Sequence, residues 1–166
     1  MGSETSSLMV ARQVSRTGEF ELRCGADAAF PLFSPEGERK WIASWDPRPV
    51  FPETIEFRRD TVFREGLGAE ETVWVIVDVD WDEHRAEYVR VAGASHTARI
   101  VVKIDGIGAD RCRVSVSYTV TVFVEREARL LEAFAGSAYE ERMWKWQKQI
   151  EEHLDTRSKM PSENFR

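Results

Sequence analysis

Between about Glu127 and Leu154 the chain carries no proline and one glycine, and apolar residues recur at Leu131, Ala135, Tyr139, Met143, Trp146, Ile150 and Leu154, with Phe134 and Ala138 beside them. Steps of four, four, four, three, four and four keep these residues on one stripe of a 3.6-residue helix. Glu127, Arg129, Glu140, Lys145, Lys148, Glu151 and Glu152 fall mostly off it. The spacing predicts one amphipathic helix of roughly 40 Å. A two-strand hairpin is too narrow to cover that stripe.

The period changes to two in the preceding segments. In 97–105, Ala98, Ile100, Val102 and Ile104 oppose Thr97, Arg99, Lys103 and Asp105; in 112–124, Val114, Val116, Tyr118, Val120 and Val122 oppose Arg113, Ser115, Ser117, Thr119 and Thr121. Each pattern predicts a strand with one covered and one wet face. In 72–80, Val73, Val75, Val77 and Val79 share one side and Trp74, Ile76, Asp78 and Asp80 the other, so the pattern leaves its inward face open. Further strands are expected at about 54–64 and 85–93, and a first one ends near Cys24. The separators are short: Gly66 and Gly68, Asp82-Glu83, Gly93-Ala94-Ser95, and Gly106-Ile107-Gly108. They predict an antiparallel meander, because parallel pairing needs long crossovers.

Two short helices are expected after the first strand. Asp27 is a candidate cap for one; Ser34, with Pro35 at the first helical position, caps the other. The segment 45–52, with three prolines in eight residues, is read as a connector. The expected organisation is a flexible tail over 1–10, a single domain over 11–155 and a second flexible tail over 156–166.

Composition adds mostly exclusions. The 166 residues suit one core, and a net charge of −6 with interspersed signs argues against a general nucleic-acid binder. No apolar run is long enough for integral membrane association. The start lacks a secretion signal, although Gly2 and Ser6 fit the loose pattern for N-myristoylation. A cytoplasmic location is expected. Cys24 and Cys112 are too few for a disulfide framework and are expected to stay thiols, while His84, His96 and His153 are scattered. No metal and no cofactor is expected, and no Ser-His-Asp order, phosphate loop or dinucleotide fingerprint is present.

The segments AAFPLFSPEGERKWIASWDP, TVWVIVDVD and VSVSYTVT, followed by the helix carrying Tyr139, Met143, Trp146 and Ile150, resemble the SRPBCC superfamily over roughly Val14 to Leu154. These are the helix-grip proteins, among them START lipid-binding domains, polyketide ring cyclases and pollen-allergen-like proteins; the first segment resembles small bacterial members. The resemblance implies an α+β helix-grip fold, a curved antiparallel sheet wrapped around the long C-terminal helix. It also implies the first strand antiparallel to the last, with Cys24 near Cys112, and a cavity between sheet and helix. The expected ligand-binding residues are Trp41, Trp45, Phe57, Trp74, Ile76, Tyr88, Ile100, Val102, Tyr118, Val120, Phe134, Tyr139 and Met143. Gly136 and Ser137, expected midway along the helix, either leave room for a guest or allow close sheet packing. An empty hole of ~300 Å³ costs roughly 7 kcal/mol at ~24 cal/mol per Å³, against a typical stability of about 5–15 kcal/mol. Such a hollow is expected to hold water, hold a ligand or be narrowed by side chains.

The leading reading is a binder of an apolar or aromatic small molecule, such as a lipid or polyketide-like compound, with a homodimer left open. A second is a cyclase or dehydratase of the same fold, which needs ionisable groups facing one cavity, drawn from Asp78, Asp80, Tyr88, Arg90 and Tyr118. A third is a protein-interaction module of the chaperone-activator type, which needs an exposed apolar patch on the outer sheet face or on the short helices; the Ser- and Thr-rich outer face of 112–124 counts against the sheet version.

Overall fold

The first strand pairs with the last, and the others pair with their sequence neighbours, as short turns require. The computed structural model describes residues 12–159. Its seven strands are β1 (Arg12–Leu22), β2 (Arg48–Phe51), β3 (Val62–Glu65), β4 (Thr72–Asp80), β5 (Arg85–Ala92), β6 (His96–Gly108) and β7 (Arg111–Val122). They form one antiparallel sheet in the order β1-β7-β6-β5-β4-β3-β2. Short helices α1 (Ala26–Ala29) and α2 (Pro35–Glu38), joined by a 3₁₀ turn, follow β1, and α3 (Ala138–Lys159) closes the chain. This is the helix-grip architecture. The expected N-terminal tail and its Gly2 and Ser6 lie outside the described residues. Residues 156–159 of the expected C-terminal tail belong to α3, and the rest of that tail also lies outside.

One face of the sheet is dry. Ala98, Ile100, Val102 and Ile104 of β6 and Cys112, Val114, Val116, Tyr118, Val120 and Val122 of β7 are all buried. The other face is a polar ladder, with Gln13 bonded to Thr121, Ser15 to Thr119 and Thr17 to Ser117. The register Leu22↔Cys112 brings the end of β1 to the start of β7. Cys24 and Cys112 are free thiols, and their mutual influence lowers the pKa of the first and raises that of the second.

Four details differ from the expectations. The long helix is not continuous: Glu125–Phe134 is 3₁₀, Ala135 is extended, Gly136 takes φ +52°, and α3 starts at Ala138. A left-handed residue ends a helix, and glycine pays no Cβ penalty there. The carbonyl freed at Gly136 accepts from Arg16 Nη2 at 3.1 Å. The proline-rich connector contributes β2 at the sheet edge, where the missing N–H of Pro49 costs no inner ladder bond. The expected strand over 54–64 is reduced to 62–65, entered through Asp60 at φ +68°. Gly25, not Asp27, precedes α1, while Ser34 caps α2 by accepting from Gly37 N at 2.9 Å.

The open face of β4 is decided by a bulge. Ile76 pairs with Tyr88, but Asp78 pairs with Glu87 and Val79 with Ala86, so Val77 is an extra residue. Trp74 and Ile76 point inward before it, and Val79 after it. The bulge turns Asp78 outward onto Arg85, 3.6 Å away. Asp80 caps the β4–β5 turn, accepting from the Asp82 and Glu83 amides at 3.0 and 2.9 Å.

Helix α3 buries Tyr139, Met143 and Ile150. Its approach to β1 passes over Gly18: a Cβ there would lie 2.5 Å from Met143 Cγ and 2.8 Å from Tyr139 Cε1. Tyr139 is fixed in turn by donating to Val116 O at 2.6 Å. Gly18→Ala therefore displaces α3 or its side chains and lowers stability by about 1–3 kcal/mol. Urea unfolding reads this as a lower midpoint at unchanged slope; an unchanged midpoint would show that the helix does not rest there.

Candidate functional site

A cavity of about 150 Å³ remains between the middle strands, α2 and α3. Its aromatic wall is Trp45, Phe63, Trp74, Tyr88, Tyr118 and Trp146, and its aliphatic wall includes Ile42, Ile100 and Val102. The rings are held by packing: Trp74 stacks on Phe63 with centroids 5.7 Å apart and meets Trp45 edge-on at 5.4 Å. Backbone carbonyls of the α1–α2 segment fix the roof. Trp41 Nε1 donates to Leu32 O at 2.8 Å, Trp45 Nε1 to Pro35 O at 2.8 Å, and the Tyr88 hydroxyl to Phe33 O at 2.6 Å. Each buried polar ring atom thereby gains a partner while pinning the segment that carries Glu38.

The lining also carries charge. Glu38, Glu65 and Arg90 all border this cavity. Arg90 Nε is buried without a hydrogen-bond partner among the described residues. Burial pushes the Glu38 carboxyl well above the usual carboxylate range, and the Glu65 charge adds to the effect. Burial likewise raises Tyr88, with Glu38 contributing, and Tyr118, so both remain phenols and donors. The arrangement offers a ring-sized guest an apolar slot, a neutral acid, a second carboxyl and a phenol.

Arg90 is shared with a second, more open chamber of about 290 Å³. It is bounded by Thr72, His96, Val120, Leu130, Ala133, Phe134 and Arg142. The Arg90 guanidinium lies 5.5 Å over Trp74, and its Nη2 is 3.4 Å from His96 Nε2. Burial and the Arg90 charge depress the His96 pKa, which keeps the ring neutral. Arg142 covers Phe134 at 4.9 Å and Tyr118 at 5.8 Å.

Of the expected residues, Trp45, Trp74, Tyr88, Ile100, Val102 and Tyr118 line the inner cavity, and Val120 and Phe134 the outer chamber. Trp41, Phe57, Ile76, Tyr139 and Met143 border neither. Trp41 packs between Phe33 and Trp146, and Phe57 packs on Phe30 and Trp81. Ile76, Tyr139 and Met143 are closed into the filled core. Asp78 and Asp80 are likewise removed from the cavity by the β4 bulge, whereas Arg90 faces it.

The sequence reading did not single out Glu38, Glu65 or Arg142. Two signals point to the glutamates. Glu38 is the fourth residue after the Ser34 cap's helix begins, a position that turns back toward the residue preceding the cap, here buried Phe33. Glu65 is two residues past inward Phe63, hence on the same face. Among the described residues no cluster of three His, Cys, Asp or Glu side chains suits a metal, and no helix is long and apolar enough to cross a membrane.

No family model matches the sequence, and no curated protein matches it. Solved structures do match. Norcoclaurine synthase from Thalictrum flavum, in complex with dopamine and hydroxybenzaldehyde, is 14% identical with a TM-score of 0.61, over 92% of this chain and 95% of that one. An uncharacterised protein from Rhizobium leguminosarum is 15% identical with a TM-score of 0.64, over 89% and 97%. The major latex-like protein 151 of Panax ginseng is 14% identical with a TM-score of 0.63, over 85% and 97%. At these identities the likeness is one of fold, and it extends over nearly the whole of each chain.

The raised Glu38 pKa has a stability consequence. The folded state holds a proton that the unfolded chain releases above about 4.5, so this site's contribution falls as pH rises from there toward the folded value. Glu38→Gln removes that loss. Thermal melts are expected to show the variant more stable than the parent at pH 8, with the gap closing as pH falls toward 4.5. A gap that widens on acidification would mean that Glu38 is ionised in the fold.

Proposed function

We propose that the protein binds a small aromatic or apolar molecule in the inner cavity. One observation carries this: a ring-walled hollow of about 150 Å³ bordered by Glu38, Glu65 and Arg90, with Arg90 Nε lacking a partner among the described residues. A wholly apolar hole of that size would cost about 4 kcal/mol at ~24 cal/mol per Å³, and a cavity near 150 Å³ is enough to take benzene. The volume favours a single-ring compound over a long lipid chain or a multi-ring polyketide-like compound. That the similarly folded norcoclaurine synthase was crystallised with dopamine and hydroxybenzaldehyde supports a ligand of this class.

A second reading is supported by Glu38, Glu65 and Tyr118. Two carboxyls, that of Glu38 held neutral, and a phenol around one ring-sized space suit proton transfer to and from a bound substrate, as a cyclase or dehydratase requires. Under this reading Glu38→Gln keeps binding and loses turnover.

Thermal shift with single-ring phenols and benzoic aldehydes, set beside long-chain fatty alcohols, tests the binding reading. At ligand concentrations 100-fold above Kd, stabilisation is about 2.7 kcal/mol. The expected result is a rise of several degrees for ring compounds only, abolished in Ile100→Trp, whose indole fills the space. No shift with any ring compound, or a shift that survives the filling substitution, would reject the site.

A further inference from the structure

Five described arginines make no ion pair within 4.0 Å among the described residues. Arg59, Arg129 and Arg157 are exposed, where water solvates the charge. Arg90 and Arg142 are half-buried, and both face the outer chamber. A buried charge without a partner is costly, and two of like sign around one space add repulsion. Among the described residues Arg90 Nε is buried with no acceptor, and Arg142 rests on the faces of Phe134 and Tyr118. His96, between Arg90 and the chamber edge, does not supply an anion. Of the acidic groups whose charge reaches this pair, Glu65 acts on Arg90 and Glu127 on His96, and neither forms an ion pair with either guanidinium.

We propose that the outer chamber takes the carboxylate of a ligand whose ring occupies the inner cavity, with Arg90 and Arg142 gripping it from two sides. The inference rests on the binding reading above and adds the ligand's class, an arylalkyl monocarboxylate. The two spaces share Arg90 as a common wall. The planar forks match the two oxygens of a carboxylate, and charge-assisted pairs of this kind are the strong ones. The apolar walls Val120, Leu130, Ala133 and Phe134 fit the alkyl linker.

Isothermal titration of the full chain with 3-phenylpropanoate, 3-phenylpropan-1-ol and 2-phenylethyl phosphate separates the cases. The acid is expected to bind about tenfold or more tighter than the alcohol. Arg142→Gln should bring the acid to the alcohol's affinity while the alcohol stays within about twofold, and Arg142→Lys, with charge but no fork, should fall between. If Arg142→Gln does not fold, the loss on Arg142→Lys decides. Alcohol binding with no preference for the acid overturns this proposal and leaves the cavity reading intact. Binding of neither rejects both. A preference that survives both substitutions places the anion elsewhere, and phosphate binding as tight as the acid overturns the carboxylate assignment.

Discussion

The close seating of α3 on β1 is the constraint from which the hollow follows. Gly18 removes the one Cβ that would hold Tyr139 and Met143 off the strand. The helix therefore settles over the β1 edge of a seven-stranded sheet, and its Tyr139 hydroxyl reaches the Val116 carbonyl on the neighbouring strand. A single helix seated there cannot also cover the inner faces of β3 to β6. That area is roofed by the α1–α2 segment, hung from Trp41, Trp45 and Tyr88 by hydrogen bonds to its own carbonyls. Between the two covers a space remains.

That space is not a smaller version of an oily core. Its rings interlock edge to face, yet α2 and β3 each insert a carboxyl, and β5 inserts a guanidinium. Arg90 Nε is unmatched among the described residues, and unmatched buried groups are expensive unless something else completes them. The same reasoning extends through Arg90 to the outer chamber, where a second guanidinium, that of Arg142, has no ion pair among the described residues. Inner and outer spaces thus form one gradient, from apolar and proton-donating near Glu38 to cationic near Arg142.

The sequence made the sheet legible because period-two alternation in β6 and β7 coincides with burial, and the stripe of α3 because Tyr139, Met143 and Ile150 keep helical spacing. It could not place the break at Gly136, since one glycine within an otherwise helical period does not announce a left-handed residue. It could not orient β4, because the Val77 bulge turns both halves of an all-valine face in opposite directions. The aromatic set divides in place. Trp74 and Tyr118 border the hollow while Phe57 and Tyr139 fill solid packing, and residue type alone does not separate wall from core. Glu38 and Glu65 escaped notice because carboxyls are expected in water, although cap geometry and strand alternation both turn them inward.

Where a guest sits in solution is read most directly by NMR during titration with phenol. Occupancy of the hollow requires shifts at the Trp45 and Trp74 indole N–H signals and the Ile100 and Val102 methyl groups, with Ile55 and Val14 methyls unmoved. Shifts confined to the surface, or spread evenly over the core, would contradict a guest site between sheet and helices.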